Sequence, residues 1–156
     1  MQAPARPRFA RGGLPAGRFF EALQARLHAL LPAGPWSFRA RRGHGLLKLD
    51  CGHPETHFEG WHHRSLGRFE VGLHFEGSAE LNQAATGFFR GRILEVKSAL
   101  PRAELEPWDR GWSRLYETFP APALDQSVLE EAAARLAAYV VHLQPLVDAF
   151  WKEGQP

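Results

Sequence analysis

With Cys51 as its only cysteine, the chain can form no internal disulfide, which suits a reducing, cytoplasmic setting. Long apolar runs are equally scarce. The longest, such as Leu136 to Val141, fall far below the roughly 20 residues that cross a bilayer, so no membrane-spanning helix is expected. The first residues include arginines but no continuous apolar stretch leading to a small-residue cleavage site, so no secretory signal is expected. Lysine is rare beside arginine, three against sixteen, and with one Asn and one Met this composition points to a GC-rich, thermophilic bacterial source. Also missing are Gly-x-Gly-x-x-Gly, a phosphate loop, His-Glu-x-x-His and Gly-x-Ser-x-Gly, so no cofactor is called for by a motif.

What is present suffices for one core. A hydrophobic share of 44% and a charged share of 23% in 156 residues are ordinary for a single globular domain. Charge is unevenly placed: residues 1 to 48 carry nine basic and one acidic side chain, residues 49 to 156 ten and sixteen. Residues 1 to 17, rich in Pro and Gly, read as a flexible basic arm ahead of a single α+β domain over 18 to 156. Through Arg6, Arg8, Arg11 and Arg18 such an arm suits nucleic-acid phosphates, although an untethered terminus is the plainer reading.

Apolar residues Phe20, Leu23, Leu27, Leu30 and Leu31 recur at helical spacing, and the PAGP that follows stops the helix. Trp36, Phe38 and Ala40, then Leu47, Leu49 and Cys51, alternate on either side of Gly-His-Gly and read as a hairpin. A second hairpin pairs HFEGWHH (57 to 63) with RFEVGLHFE (68 to 76). Only a register in which partners sum to 131 puts Phe58 with Leu73 and keeps both apolar faces on one side, and it sets His57 opposite His74 and Trp61 opposite Glu70.

Ser78 starts a second helix, drawn as one stripe from Leu81 to Leu100 and weakened by Gly87 and Gly91. After a Pro- and Glu-rich connection, residues 112 to 119 alternate as a last strand. Ser127 and Glu130 form a capping box for a final helix, in which Leu129, Leu136, Leu143 and Phe150 repeat every seven residues; Pro145 should kink it. Packing on the sheet is expected of it, and a homodimer contact is the alternative. The order α-β-β-β-β-α-β-α implies an α+β fold, an antiparallel sheet of about five strands with helices on one face.

The tetrapeptide His-Phe-Glu-Gly occurs at 57 to 60 and at 74 to 77. Period two and the register put His57, Glu59, His74 and Glu76 together on the outward face. Two imidazoles and a carboxylate, His57, His74 and Glu59, are a ligand set for a zinc-like ion. The same residues also suit a solvated face, with Arg39, Arg41 and Lys48 pairing Asp50, Glu59 and Glu70. Glu95 and Lys97 with Asp50 suggest the magnesium site of restriction-type nucleases, but helical spacing turns Glu95 and Lys97 about 200° apart. The zinc deaminase signature fails for want of a second cysteine, and Cys51, beside Leu47 and Leu49, reads as buried and structural.

Trp61, Trp112 and Tyr116 among Glu70, His74 and Arg114 have the composition of a binding surface; the alternative is that part of the second helix or the connection containing Trp108 covers this face. The leading expectation is therefore a non-enzymatic binding or accessory protein that uses His57, Glu59, Trp61, Glu70, His74, Glu76, Trp112, Arg114 and Tyr116. Its rival is a metal-dependent enzyme. The stretch from Arg68 to Phe119, with VGLHFE and WDRGWSRLYET, resembles small uncharacterised bacterial proteins and, distantly, accessory domains of restriction-type nucleases. That resemblance implies an accessory role and carries no site residues.

Overall fold

The computed structural model describes residues 12 to 34 and 36 to 154. Arg6, Arg8 and Arg11 of the basic arm lie outside the described residues. Arg18 does not belong to an arm: it stands in the first turn of helix α1 (Ala16–Leu30), and the chain is already anchored ahead of it, where Leu14 N–H donates to the Leu124 carbonyl at 2.9 Å.

Six antiparallel strands form one sheet in the order β1-β2-β3-β4-β6-β5. They are β1 (Arg39–Gly43), β2 (Leu46–Asp50), β3 (Thr56–His63), β4 (Arg68–Phe75), β5 (Glu104–Pro107) and β6 (Ser113–Pro120). The β3–β4 register is the one the alternation demands: His57 faces His74, Phe58 faces Leu73 and Trp61 faces Glu70. Its turn, Arg64–Leu66, closes on Gly67, whose φ of 60° is the left-handed conformation that glycine adopts at little cost.

Leu47, Leu49, Phe58, Phe69, Val71, Leu73, Phe75, Leu115 and Phe119 are all buried on one face. Helix α1 lays Phe19, Phe20, Leu23 and Leu27 against that face and against α4 (Gln126–Ala149). The heptad positions Leu129, Leu136, Leu143 and Phe150 of the last helix are buried, as are Ala133, Val140 and Val147. The sheet takes the seam of α4, which continues through Pro145 and ends in a π-helical turn, Phe150–Gly154.

Five expectations need correction. The N-cap of α4 is Asp125, whose carboxylate accepts from Val128 N–H at 2.9 Å, so Ser127 lies inside the first turn and makes no capping box. The single stripe from Leu81 to Leu100 breaks at Gly91 and Arg92 into α2 (Ala79–Arg90) and α3 (Ile93–Ala99), since two glycines in five residues forfeit too much helix propensity. A sixth strand, β5, occupies the Pro- and Glu-rich connection; at four residues on a sheet edge it tolerates its proline and leaves almost no alternation to read. Finally, Trp36 precedes β1, and Cys51 lies half-buried in a bend after β2.

Candidate metal centre

The polar face of the sheet is not open. Glu70 and His74 have no exposed surface, and His57, Glu59 and Asp50 are almost as deeply buried. The cover comes from the β5–β6 connection. Trp108 meets the His74 ring edge-on at 5.6 Å and lies 6.0 Å from Trp61 and 5.7 Å from Trp112. Arg114 lies between aromatic planes, its guanidinium carbon 5.0 Å from the Trp108 centroid and 3.8 Å from that of Tyr116. Asn82, the only asparagine, fixes the connection by donating to the carbonyls of Gly111 at 2.9 Å and Gly77 at 3.1 Å. The expected open binding surface of Trp61, Trp112, Arg114 and Tyr116 is therefore largely a lid and its supports.

Beneath the lid, Glu70 collects three donors: His63 Nε2 at 2.8 Å, His74 Nε2 at 2.7 Å and Arg114 Nη1 at 2.7 Å. Burial alone would raise its pKa, but the hydrogen bonds from His63 and His74 and the charges of His74 and Arg114 bring it down to about 2. Arg114 also donates to Glu106 at 3.1 Å, as does the Tyr116 hydroxyl at 2.6 Å. Burial likewise disfavours the charged form of His74, yet the close approach of Glu59, Glu70 and Glu76 holds its pKa well above the ordinary value.

Geometry decides which ring nitrogens carry hydrogen. His57 Nδ1 lies 2.8 Å from the Pro54 carbonyl, which can only accept, so Nδ1 is the donor and the neutral ring exposes a lone pair at Nε2. His74 Nε2 donates to Glu70, so Nδ1 is the nitrogen at which a metal would replace the proton. Those two nitrogens converge with Glu59 Oε2 and Glu76 Oε2. His74 Nδ1 is 2.9 Å from Glu59 Oε2 and 3.3 Å from Glu76 Oε2, and His57 Nε2 is 2.9 Å from Glu76 Oε2. Even so, His57 Nε2, His74 Nδ1 and Glu76 Oε2 are buried without a properly directed hydrogen bond.

One ligand atom from each of these four residues falls within 4.8 Å of the other three. Around a zinc ion with bonds near 2.0–2.1 Å, tetrahedral ligands stand about 3.3 Å apart, close to the separations of 2.9, 3.3 and 2.9 Å between His74 Nδ1 and Glu59 Oε2, His74 Nδ1 and Glu76 Oε2, and His57 Nε2 and Glu76 Oε2. The loop that supplies Pro54 is pinned in turn: Thr56 N–H donates to the His53 carbonyl at 3.1 Å, Trp151 Nε1 donates to Thr56 Oγ1 at 2.9 Å, and the Trp151 ring stacks on His53 at 3.8 Å.

Of the residues marked out by the sequence, His57, Glu59, His74 and Glu76 come together. Glu70 and Arg114 stand behind them; Trp61, Trp112 and Tyr116 belong to the cover. Lys48 does pair with Glu59, and Arg41 with Asp50, at 3.9 and 3.8 Å, but Glu70 takes Arg114 instead of a cation from β1 or β2. Sequence reasoning missed His63 and the Pro54 carbonyl, whereas cover by the Trp108 connection was the alternative it left open. The nuclease-like set is not assembled: Glu95 and Lys97 lie on helix α3, where Lys97 pairs with Glu104 at 3.3 Å. Among the described residues no helix is long and apolar enough to cross a membrane.

No family model matches this chain, and neither a curated protein nor a solved structure does.

Proposed function

We propose that this chain is a metal-binding protein that holds one divalent first-row ion, zinc-like in its preferences, through His57, Glu59, His74 and Glu76. The observation that carries the reading is the convergence of His57 Nε2, His74 Nδ1, Glu59 Oε2 and Glu76 Oε2 under the cover, where His57 Nε2, His74 Nδ1 and Glu76 Oε2 form ion pairs of 2.9 to 3.3 Å but no well-directed hydrogen bond. Buried polar groups are almost always held by well-directed hydrogen bonds, and a cluster held by poorly directed ion pairs instead suits a cation.

Support comes also from the groups behind the ligands. A metal-bound histidine normally donates its second N–H to a carboxylate or a backbone carbonyl, which fixes the tautomer and strengthens the ligand; His74 does so with Glu70 and His57 with Pro54. Charge agrees, because the four carboxylates of Glu59, Glu70, Glu76 and Glu106 meet two permanent cations, Lys48 and Arg114, and a divalent ion offsets the difference. Nitrogen and oxygen donors without sulfur favour zinc, iron(II), cobalt(II) or manganese(II) over copper(I).

Four protein donors fill a tetrahedral shell, the pattern of closed, structural sites. The reading is thus of a non-enzymatic binding protein, and a reducing, cytoplasmic setting is consistent with its lone Cys51. The test is elemental analysis of the purified protein together with zinc titration of the chelator-stripped form. One ion per chain is expected, with binding lost in His57→Ala and in His74→Ala. Failure of the stripped wild-type protein to take up zinc at micromolar concentrations overturns the proposal.

A further inference from the structure

Each ligand carboxylate of this centre has one oxygen turned inward and one turned out, and the two outer oxygens meet the same side chain. Glu59 Oε2 and Glu76 Oε2 face the histidine nitrogens. Glu59 Oε1 and Glu76 Oε1 lie 3.9 and 3.7 Å from Lys48 Nζ. Lys48 stands on β2 directly opposite Glu59 in the β2–β3 register, and its side chain keeps about a quarter of its surface exposed. It is the cation at the mouth of a site whose other walls are buried.

We infer that Lys48 is a positioning residue that selects the ion: by holding the outer oxygen of both carboxylates, it keeps each of them to a single metal bond and so restricts the centre to small, four-coordinate ions. The inference rests on the metal-binding reading and deepens it. Small ions such as zinc and cobalt(II) accept four short bonds. Larger, harder ions need six to eight oxygens, which proteins commonly supply through bidentate carboxylates. Glu59 and Glu76 have the oxygens for that second mode, and Lys48 is the ion-pair partner of both.

Removing the positive charge of Lys48 strengthens attraction for every divalent cation alike, so absolute affinity does not test the idea. The ratio of affinities does, because the common electrostatic gain cancels. Groups behind metal ligands typically alter affinity by about 10- to 100-fold. A fall of about tenfold or more in the zinc-to-manganese affinity ratio is therefore expected in Lys48→Met. Lys48→Arg, which keeps a cation over both oxygens, should retain most of the wild-type preference.

The second readout is the visible spectrum of the cobalt(II)-loaded protein. Four-coordinate cobalt absorbs intensely, and five- or six-coordinate cobalt only weakly. Wild type and Lys48→Arg should give the intense, tetrahedral spectrum, whereas Lys48→Met should weaken it as the carboxylates turn bidentate. An unchanged spectrum together with an unchanged zinc-to-manganese ratio in a folded Lys48→Met protein overturns the role of Lys48 and leaves the metal centre standing. A wild-type protein that binds neither cobalt nor zinc overturns both.

Discussion

His74 and Glu70 meet across Gly72, with Nε2 and Oε1 2.7 Å apart although their residues stand at the two ends of a five-residue stretch of β4. On one face of a strand, positions four apart are separated by roughly 13 Å, so the two side chains must lie down along the sheet. Gly72, between them, lets β6 approach closely. A Cβ there would come within 2.6 Å of Tyr116 Cβ and 2.7 Å of the Leu115 carbonyl oxygen.

Gly72→Ala should accordingly destabilise the protein by about 1–3 kcal/mol, the usual penalty of overpacking, and weaken metal uptake by displacing β6. Urea unfolding and zinc titration measure the two effects. Wild-type values in both would show that β6 gives way freely at Tyr116.

Glu70→Gln keeps the shape of the side chain but removes the carboxylate that orients His74. Zinc affinity should fall about 10- to 100-fold, as for other groups behind metal ligands, while the stoichiometry remains one. Isothermal titration calorimetry separates these quantities, and an affinity within twofold of wild type would count against Glu70 as the orienting group.

Stability of the metal-free protein should depend on pH in two opposite ways. The Glu70 pKa is lowered to about 2 from an ordinary 4.5, so its stabilising contribution is complete above 4.5 and is lost as pH falls toward 2. That of His74 is raised above an ordinary 6.5, so its contribution is complete below 6.5 and is lost as pH rises through the higher folded value. Thermal unfolding of the stripped protein should therefore peak between these limits and decline on the alkaline side. Saturating zinc replaces the proton and should remove the alkaline decline; its persistence in the loaded protein would argue against the ion sitting at His74.

Trp108→Ala uncovers the edge of His74 and one side of Arg114. Chelator should then strip the ion several-fold faster than from wild type, with little change in fold by circular dichroism. Equal stripping rates would mean that the ion enters and leaves on the Lys48 side alone.

Asp125→Ala serves as a control remote from the centre. It removes the N-cap acceptor of Val128 N–H and should cost about 1 kcal/mol of stability, typical of a lost cap, without altering zinc affinity.

The pairing of β3 with β4 was legible because two independent alternations, Phe58 with its neighbours and Phe69 to Phe75, accept only one register. That register alone brings His57, Glu59, His74 and Glu76 together, and the repeated tetrapeptide marks it. Alternation tells which side of a sheet a residue takes, not what lies above it, so the sequence left undecided whether Glu70 and His74 face solvent or lie under the Trp108 connection. The cover depends on Trp108 in a connection set by a four-residue edge strand and by Asn82, which hydrogen-bonds residues 29 positions away. The Pro54 carbonyl was invisible for a simpler reason: every residue has one, and only the folded loop shows where it points.

All four proposed ligands come from a single hairpin, and they sit at the end of it remote from the Arg64–Gly67 turn. An ion bound there would close the ribbon into a ring, covalent at one end and coordinate at the other. A slip by one residue sends the histidine of one strand to the opposite face, and a slip by two moves it past its partner. Capture of the ion would then act as proofreading: only a correctly zipped ribbon could be fastened, and a misaligned one would stay free to reopen.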